Sequence, residues 1–317
     1  MSVTRRARVR ALAKINLDLR VLGKRPDGFH ELRTIFQTVS LYDTLEISYA
    51  ASRQTEITLN DDLQIADNLV VRAARLLMES IGVSGRVEMR LVKRIPMGAG
   101  LGGGSSDAAA VLLALPALAG WSVDLPKLSA IGEQLGSDVP FFLLGGAAVG
   151  IGRGSELFPL PDLPSRQGLL AAPGVHVDTA QAYRDLSPRL TTELQQNKIF
   201  SFQAVTWGSA GGGPGRLAAA RNDFESVVFE QHPDLARYKK KLLSAGADAA
   251  LMTGSGSALF GLFPDRNGIN RATKLLEEVQ TFPISLVGRT RFRALWRRAL
   301  KEHTTPGLWP LPSKYSA

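Results

Sequence analysis

The run Pro96-Met97-Gly98-Ala99-Gly100-Leu101-Gly102-Gly103-Gly104-Ser105-Ser106-Asp107 holds five glycines and a pair of serines. Glycine has no Cβ, so successive backbone N–H groups can turn inward and approach a ligand closely. The alanine- and leucine-rich stretch that follows, residues 108–118, predicts a helix that Pro116 ends or kinks. A helix start offers free N–H groups and a partial positive charge, and phosphate binds well there. Ser105 and Ser106 add hydroxyls that can donate to phosphate or help hold a phosphate-bound metal. A bare glycine-rich turn would not need two serines at a helix start, so the pattern reads as a phosphate cradle.

Better-known phosphate motifs do not fit. The chain has no G-x-x-x-x-G-K-[ST], which excludes a P-loop. Gly98, Gly100 and Gly103 satisfy G-x-G-x-x-G, but a dinucleotide site also needs an acidic residue at a strand end about 20 positions on. Asp124 falls between two predicted helices instead. No HRD-like or DFG-like element supports a protein kinase.

The elements that must position this loop begin with Val9, Ala11, Ala13, Ile15, Leu17, Leu19 and Val21, apolar at every odd position. Polar residues take most even positions, so the period of two predicts a long strand with Lys14, Asn16 and Asp18 on one face. Taken alone, that face reads as solvated. After a turn at Gly23–Gly28, strand-like stretches run through Ile35–Leu41 and Thr44–Tyr49. Asn68 or Asp67 caps a helix ending near Met78, and Val87, Met89 and Leu91 mark a strand leading into the loop. A helix at about Leu125–Leu135 stops at Gly136, ahead of Asp138-Val139-Pro140 and the apolar run Phe141–Ala148. Pro159, Pro161 and Pro164 mark a domain boundary, giving units of 1–163 and 164–317. Beyond it, Gly208–Gly215 reads as a flexible surface loop. Residues 247–263 read as two short strands joined across Gly254-Ser255-Gly256-Ser257, followed by a helix at about Arg271–Val279 and a strand at Ile284–Val287. Strands and helices mix without regular βα alternation, which predicts an α+β fold.

Composition narrows the function classes. At 317 residues, 44% hydrophobic and 21% charged, the chain suits a two-domain globular protein. No membrane-length apolar segment or secretory signal is visible, and the absence of cysteine suits a reducing cytoplasm. The net charge of +9 gathers at the two ends, at Arg5, Arg6, Arg8 and Arg10 and again at Arg289, Arg291, Arg293, Arg297 and Arg298. These read as solvated edges, or as a field attracting a polyanionic small substrate, since no nucleic-acid-binding pattern accompanies them.

The loop P-x-G-A-G-L-G-G-G-S-S-D-A-A resembles the phosphate loop of the GHMP kinases, which phosphorylate small-molecule alcohols. Further matches run the length of the chain: Ala13-Lys14-Ile15-Asn16-Leu17, Arg25-Pro26-Asp27-Gly28-Phe29-His30-Glu31-Leu32, Asp67-Asn68-Leu69-Val70 and Gly136-Ser137-Asp138-Val139-Pro140. Pro173-Gly174-Val175 with Thr179 and Tyr183, Arg221-Asn222-Asp223-Phe224-Glu225, and Thr253-Gly254-Ser255-Gly256-Ser257 complete the set. Among the branches, the pattern is most similar to the one acting on a cytidine diphosphate-linked methylerythritol in non-mevalonate isoprenoid synthesis. The homoserine and mevalonate types, and a catalytically silent nucleotide sensor, stay open as alternatives.

The resemblance implies a two-domain α+β fold, an N-terminal α/β domain of the ribosomal-protein type and a C-terminal ferredoxin-like domain, with the active site between them. It implies a cytoplasmic enzyme, a monomer or weak homodimer, using ATP with Mg²⁺ and no nucleic-acid or membrane partner. Lys14 and Asp138 match the catalytic pair, although Asp138 by itself would read as a helix-end capping carboxylate. Asn68 and Leu69 would lie near adenine. Asn16, Phe29, His30, Thr179 and Tyr183 match the cytidine-holding residues, two aromatics sandwiching the pyrimidine while His30 meets its edge. Gly254, Ser255 and Gly256 would close over the substrate phosphates. No protein ligand of the metal is assigned, though Ser105 or Ser106 suits that role. The chain departs from the pattern at Phe29, where many relatives have Tyr, and at Asp107, where some have Asn. An acidic residue beside phosphate is unfavourable unless it caps the helix or meets a cation.

Overall fold

The computed structural model describes residues 3–190 and 220–316. The glycine-rich loop expected at 208–215 lies outside them. The alternating segment forms β1 (Arg5–Lys24), which pairs antiparallel with β2 (His30–Ala50). Where the sequence marks two strand-like stretches, β2 is one continuous strand, because Tyr42 and Asp43 keep pairing with Leu12 and Ala11. With β3 (Glu56–Asp61), β4 (Arg86–Val92), β5 (Ala147–Gly152) and β6 (Glu156–Pro159) they make a six-stranded sheet ordered β3-β4-β2-β5-β6, β1 lying on β2.

Helices α1 (Leu69–Ile81), α2 (Gly103–Ala119), α3 (Leu125–Leu135) and α4 (Val139–Leu144) pack onto this sheet. Asn68 caps α1, its Oδ1 accepting from Val70 N at 3.0 Å. Apolar all round, α2 is buried from Ser106 to Leu118, as such a helix must be. It starts at Gly103, inside the glycine run, rather than at Ala108.

The second unit holds β7 (Gln167–Ala172), β8 (Ala249–Met252), β9 (Leu259–Phe263) and β10 (Gln280–Ser285), an antiparallel sheet ordered β10-β7-β9-β8. Helices α5 (Thr179–Leu186), α6 (Glu225–Gln231), α7 (Pro233–Ser244) and α8 (Arg266–Leu275) accompany it in a ferredoxin-like arrangement. The expected helix at 271–279 sits earlier because Asp265 caps it, accepting from Gly268 N at 2.9 Å. β10 accordingly begins at Gln280 rather than Ile284, and tolerates Pro283 because it is an edge strand.

β1 threads all three apolar cores. Val9, Ala11 and Leu12 join the helices, Ala13, Ile15 and Leu17 face the second sheet, and Leu19 and Val21 join the core of the second unit. Register breaks between Leu12 and Lys14, and between Asn16 and Asp18, redirect the strand from one core to the next. Arg6, Arg8 and Arg10 stay exposed, but from Lys14 onward the even-numbered face is not solvated: Lys14, Asn16, Asp18 and Arg20 are all buried. Asp18 ties the units together, its Oδ1 accepting from Arg221 N at 2.8 Å and its carboxylate pairing with Arg20.

The expected boundary at 163/164 falls in the crossover from β6 to β7, but the chain beyond Leu286 does not stay with the second unit. Helix α9 (Arg289–Ala299) inserts Phe292 and Trp296 into the first core, four residues apart on one face, with Leu300 continuing the row. The proline-containing tail follows it: Trp309 Nε1 donates to Leu143 O at 2.8 Å and Ser313 Oγ to Ala117 O at 2.7 Å. Part of the terminal basic charge is consumed here, since the Arg5 guanidinium stacks 3.6 Å from the Tyr315 ring centre. Among the described residues no helix is long and apolar enough to cross a membrane.

Candidate active site

The glycine run crosses the cleft between the two sheets. Ala99 and Leu101 bury their side chains inward, while Gly98, Gly100 and Gly102, all at positive φ, turn their backbone toward the cleft. Gly100 is required twice over: its φ is +76°, and a Cβ would sit 2.1 Å from Thr253 O. The cradle and the turn at Gly254 thus meet backbone to backbone. A cavity of about 360 Å³ opens on one side of the cradle, walled by Asn68, Leu69, Lys93 and the loop. A second, of about 530 Å³, opens on the other side, walled by both units. Gly98, Gly100, Gly102 and Ser105 line both.

The two serines take different parts. Ser106 Oγ is committed to Leu12 O at 2.7 Å and is buried, so only Ser105 remains to meet a phosphate or its metal. Asp107 finds a cation: Lys93 Nζ donates to it at 2.6 Å and to Asp43 at 2.5 Å. Burial still pushes the Asp107 carboxyl up, to about 7, against the pull of Lys93. Lys93 and Asp43 escaped the sequence reading because their partner lies across the fold.

Lys14 and Asp138 come together in the larger cavity. Lys14 Nζ donates to Asn16 Oδ1 at 2.8 Å and lies 3.4 Å from Asp138 Oδ2. The lysine side chain is 4% exposed and the carboxylate 30%, so the pair is open to a ligand from the Asp138 side. Asp138 precedes α4 but makes no capping hydrogen bond with its side chain, which removes the capping interpretation. Asn16 is more heavily engaged than its expected role requires. Its Oδ1 also accepts from Gly254 N at 2.9 Å, and its Nδ2 donates to Thr34 Oγ1 at 2.7 Å. Those bonds pin the second unit's turn to β1.

At the far end of the larger cavity lie Thr179 and Tyr183 on α5, and Arg153 on the β5–β6 turn. Thr179 Oγ1 and Ser255 Oγ are hydrogen-bonded at 2.7 Å, joining α5 to the Gly254–Gly256 turn. Burial, and after it the charge of Asp138, raises the Tyr183 phenol above its ordinary value. Of the residues expected to hold cytidine, His30 rather than Phe29 lies against Tyr183, ring centres 4.6 Å apart and planes 20° apart. His30 Nε2 also meets Ser187 Oγ at 2.8 Å, and burial, aided by Lys24, lowers its basicity. Phe29 is 48% exposed, with the Arg153 guanidinium 3.5 Å from its ring centre. Arg153 and His176 both line this cavity and were not singled out from the sequence, although His176 directly follows the Pro173-Gly174-Val175 motif.

A nucleotide-sized pocket, a phosphate cradle and a carboxylate–ammonium pair at the edge of a second pocket are the parts of a phosphoryl transferase. Comparison with known proteins agrees. Residues 68–146 match the family described as GHMP kinases N terminal domain, and residues 210–279 match GHMP kinases C terminal. The chain is 72% identical to a 4-diphosphocytidyl-2-C-methyl-D-erythritol kinase of Solibacter usitatus (strain Ellin6076), over the full length of both. A crystal structure of 4-(cytidine 5'-diphospho)-2C-methyl-D-erythritol kinase superimposes with a TM-score of 0.74 at 37% identity, covering 89% of this chain and 99% of that one. A homoserine kinase from Cytophaga hutchinsonii superimposes with a TM-score of 0.73 over 90% of this chain and 95% of that one, but at 19% identity it shows the fold alone.

Proposed function

The chain belongs to the 4-diphosphocytidyl-2-C-methyl-D-erythritol kinase family of GHMP kinases, and from that we propose that it transfers the γ-phosphoryl group of ATP to the 2-hydroxyl of 4-diphosphocytidyl-2-C-methyl-D-erythritol in non-mevalonate isoprenoid synthesis. The observation that carries the assignment of roles is the Lys14–Asp138 pair, 3.4 Å apart, beside a cradle shared by two cavities. ATP lies with its base toward Asn68 and Leu69 and its γ-phosphate over Gly98–Ser105. The alcohol enters from the larger cavity, its cytidine toward Phe29, His30, Thr179 and Tyr183, and its diphosphate along Gly254, Ser255 and Gly256.

In this arrangement Asp138 accepts the proton of the substrate hydroxyl as its oxygen attacks Pγ and the bond from Pγ to the β,γ-bridging oxygen breaks. Lys14 places positive charge where the transferring phosphoryl carries negative charge, and the cradle N–H groups hold its oxygens. The polar groups beside the cradle suit an ion carried largely by ATP itself, with the Ser105 hydroxyl the protein group that would hold it. Mg²⁺ bound in that way supplies further charge neutralisation. A cytoplasmic location completes the reading, supported by a chain with no cysteine.

The purified protein, given ATP and each candidate alcohol in parallel, tests this directly. Turnover is expected with the cytidyl substrate and not with homoserine or mevalonate. Turnover of either of those in its place would overturn the assignment.

A further inference from the structure

The segment between β7 and α5 runs along the rim of the larger cavity and is held at three anchor points, Val175, Val177 and Asp178, around one free side chain. Ser257 Oγ donates to Val175 O at 2.5 Å. Val177 is buried in the core of the second unit. Asp178 caps α5, accepting from Gln181 N at 3.1 Å. His176, between them, is exposed, has no hydrogen-bond partner among the described residues, and lines the cavity. Its Nδ1 lies 3.8 Å from where a Cβ on Gly98 would be, so the imidazole stands opposite the first glycine of the cradle. Lys14, Asp138, Arg153 and Asp178 are the charged groups that share this cavity. An unengaged histidine on a pinned backbone, aimed across a cleft at a phosphate cradle, is placed for a hydrogen bond to a ligand bound there.

We propose that His176 is a phosphate-positioning residue, donating a ring N–H to a phosphate oxygen held between Gly98 and the Gly254–Gly256 turn. In either tautomer the ring offers one N–H, so the contact does not require a charged imidazole. The phosphate belongs either to ATP or to the diphosphate of the alcohol substrate. Closing the ring from the second unit fixes the phosphate chain relative to Asp138 without contact to either base. This inference rests on the proposed kinase reaction and deepens it.

The test compares wild type, His176→Ala and His176→Gln for binding of CDP, cytidine, ATP and adenosine, with KM for ATP and for the cytidyl substrate measured separately. Losing one hydrogen bond to a charged group is expected to weaken the phosphate-bearing ligand about tenfold to a hundredfold. The matching nucleoside should be unaffected, and His176→Gln, which keeps an N–H, should recover most of the loss. A loss confined to CDP assigns the substrate diphosphate, and one confined to ATP assigns its phosphate chain. Wild-type binding of both nucleotides by His176→Ala, or an equal loss for nucleoside and nucleotide, would overturn the proposal. Absence of turnover in the wild-type protein would count against the kinase reading itself, a different outcome from any of these.

Discussion

At the scale of single residues, the site is built by giving each polar group a partner and leaving a few unfinished. Asn16 is engaged by Lys14, Gly254 and Thr34, and Ser106 by Leu12 O. Asp138 is the contrary case, with one ammonium 3.4 Å away, no capping bond and an open side. A carboxylate left in that state next to a cradle is available to take a proton. Replacing it with the isosteric Asp138→Asn removes the acceptor and leaves the nucleotide cavity untouched. We expect kcat to fall by about 10²–10⁴ while ATP affinity stays near the wild-type value. Stopped-flow or equilibrium nucleotide binding beside steady-state turnover would separate the two, and wild-type turnover would remove Asp138 from the mechanism.

Among the elements, the decisive contact is between two glycine turns from different units. Gly100 and Gly254 are both at positive φ, and a Cβ on Gly254 would lie 2.9 Å from Gly100 Cα. Neither neighbour is a flexible side chain that could yield, so Gly100→Ala must push the turns apart. Displacement of a cradle by about 1 Å is expected to cost roughly a hundredfold in kcat/KM, with the apolar cores unchanged. Near-normal kinetics in that variant would show that the two turns need not touch. The same contact gives the glycines of the loop distinct duties: Gly98 and Gly102 face the cleft, and Gly100 also admits the second unit.

For the molecule as a whole, the last thirty or so residues clasp the first unit after the chain has completed the second. Trp296 is almost wholly buried in the first core, and Trp309 and Ser313 fasten the tail to the carbonyls of Leu143 and Ala117. The α4 and α2 ends so held are the C-terminal ones, opposite the ends that carry Asp138 and the cradle. Trp296→Ala is therefore expected to lower unfolding free energy by about 3–5 kcal/mol, read from a denaturant midpoint. A loss below about 1 kcal/mol, the level of an ordinary surface change, would mean the tail is an appendage.

The sequence by itself determined what local rules govern: a strand of period two at Val9–Val21, a capped helix after Asn68, a glycine-serine run at a helix start, and, through its motifs, the family. It also singled out Asp107 as a residue in need of a helix cap or a cation. The tertiary structure alone decided the rest. It supplied that cation from Lys93, buried Lys14, Asn16, Asp18 and Arg20 of β1 beneath the second unit, and drew α9 into the first core. It set His30 against Tyr183 and His176 opposite Gly98. The reason is one of range. Propensity, capping and periodicity act over a few residues and can be read along the chain. Burial, ion pairing and the approach of one glycine turn to another depend on residues that only the folded chain brings together, from 14 positions apart for Lys93 and Asp107 to 238 for Asn16 and Gly254.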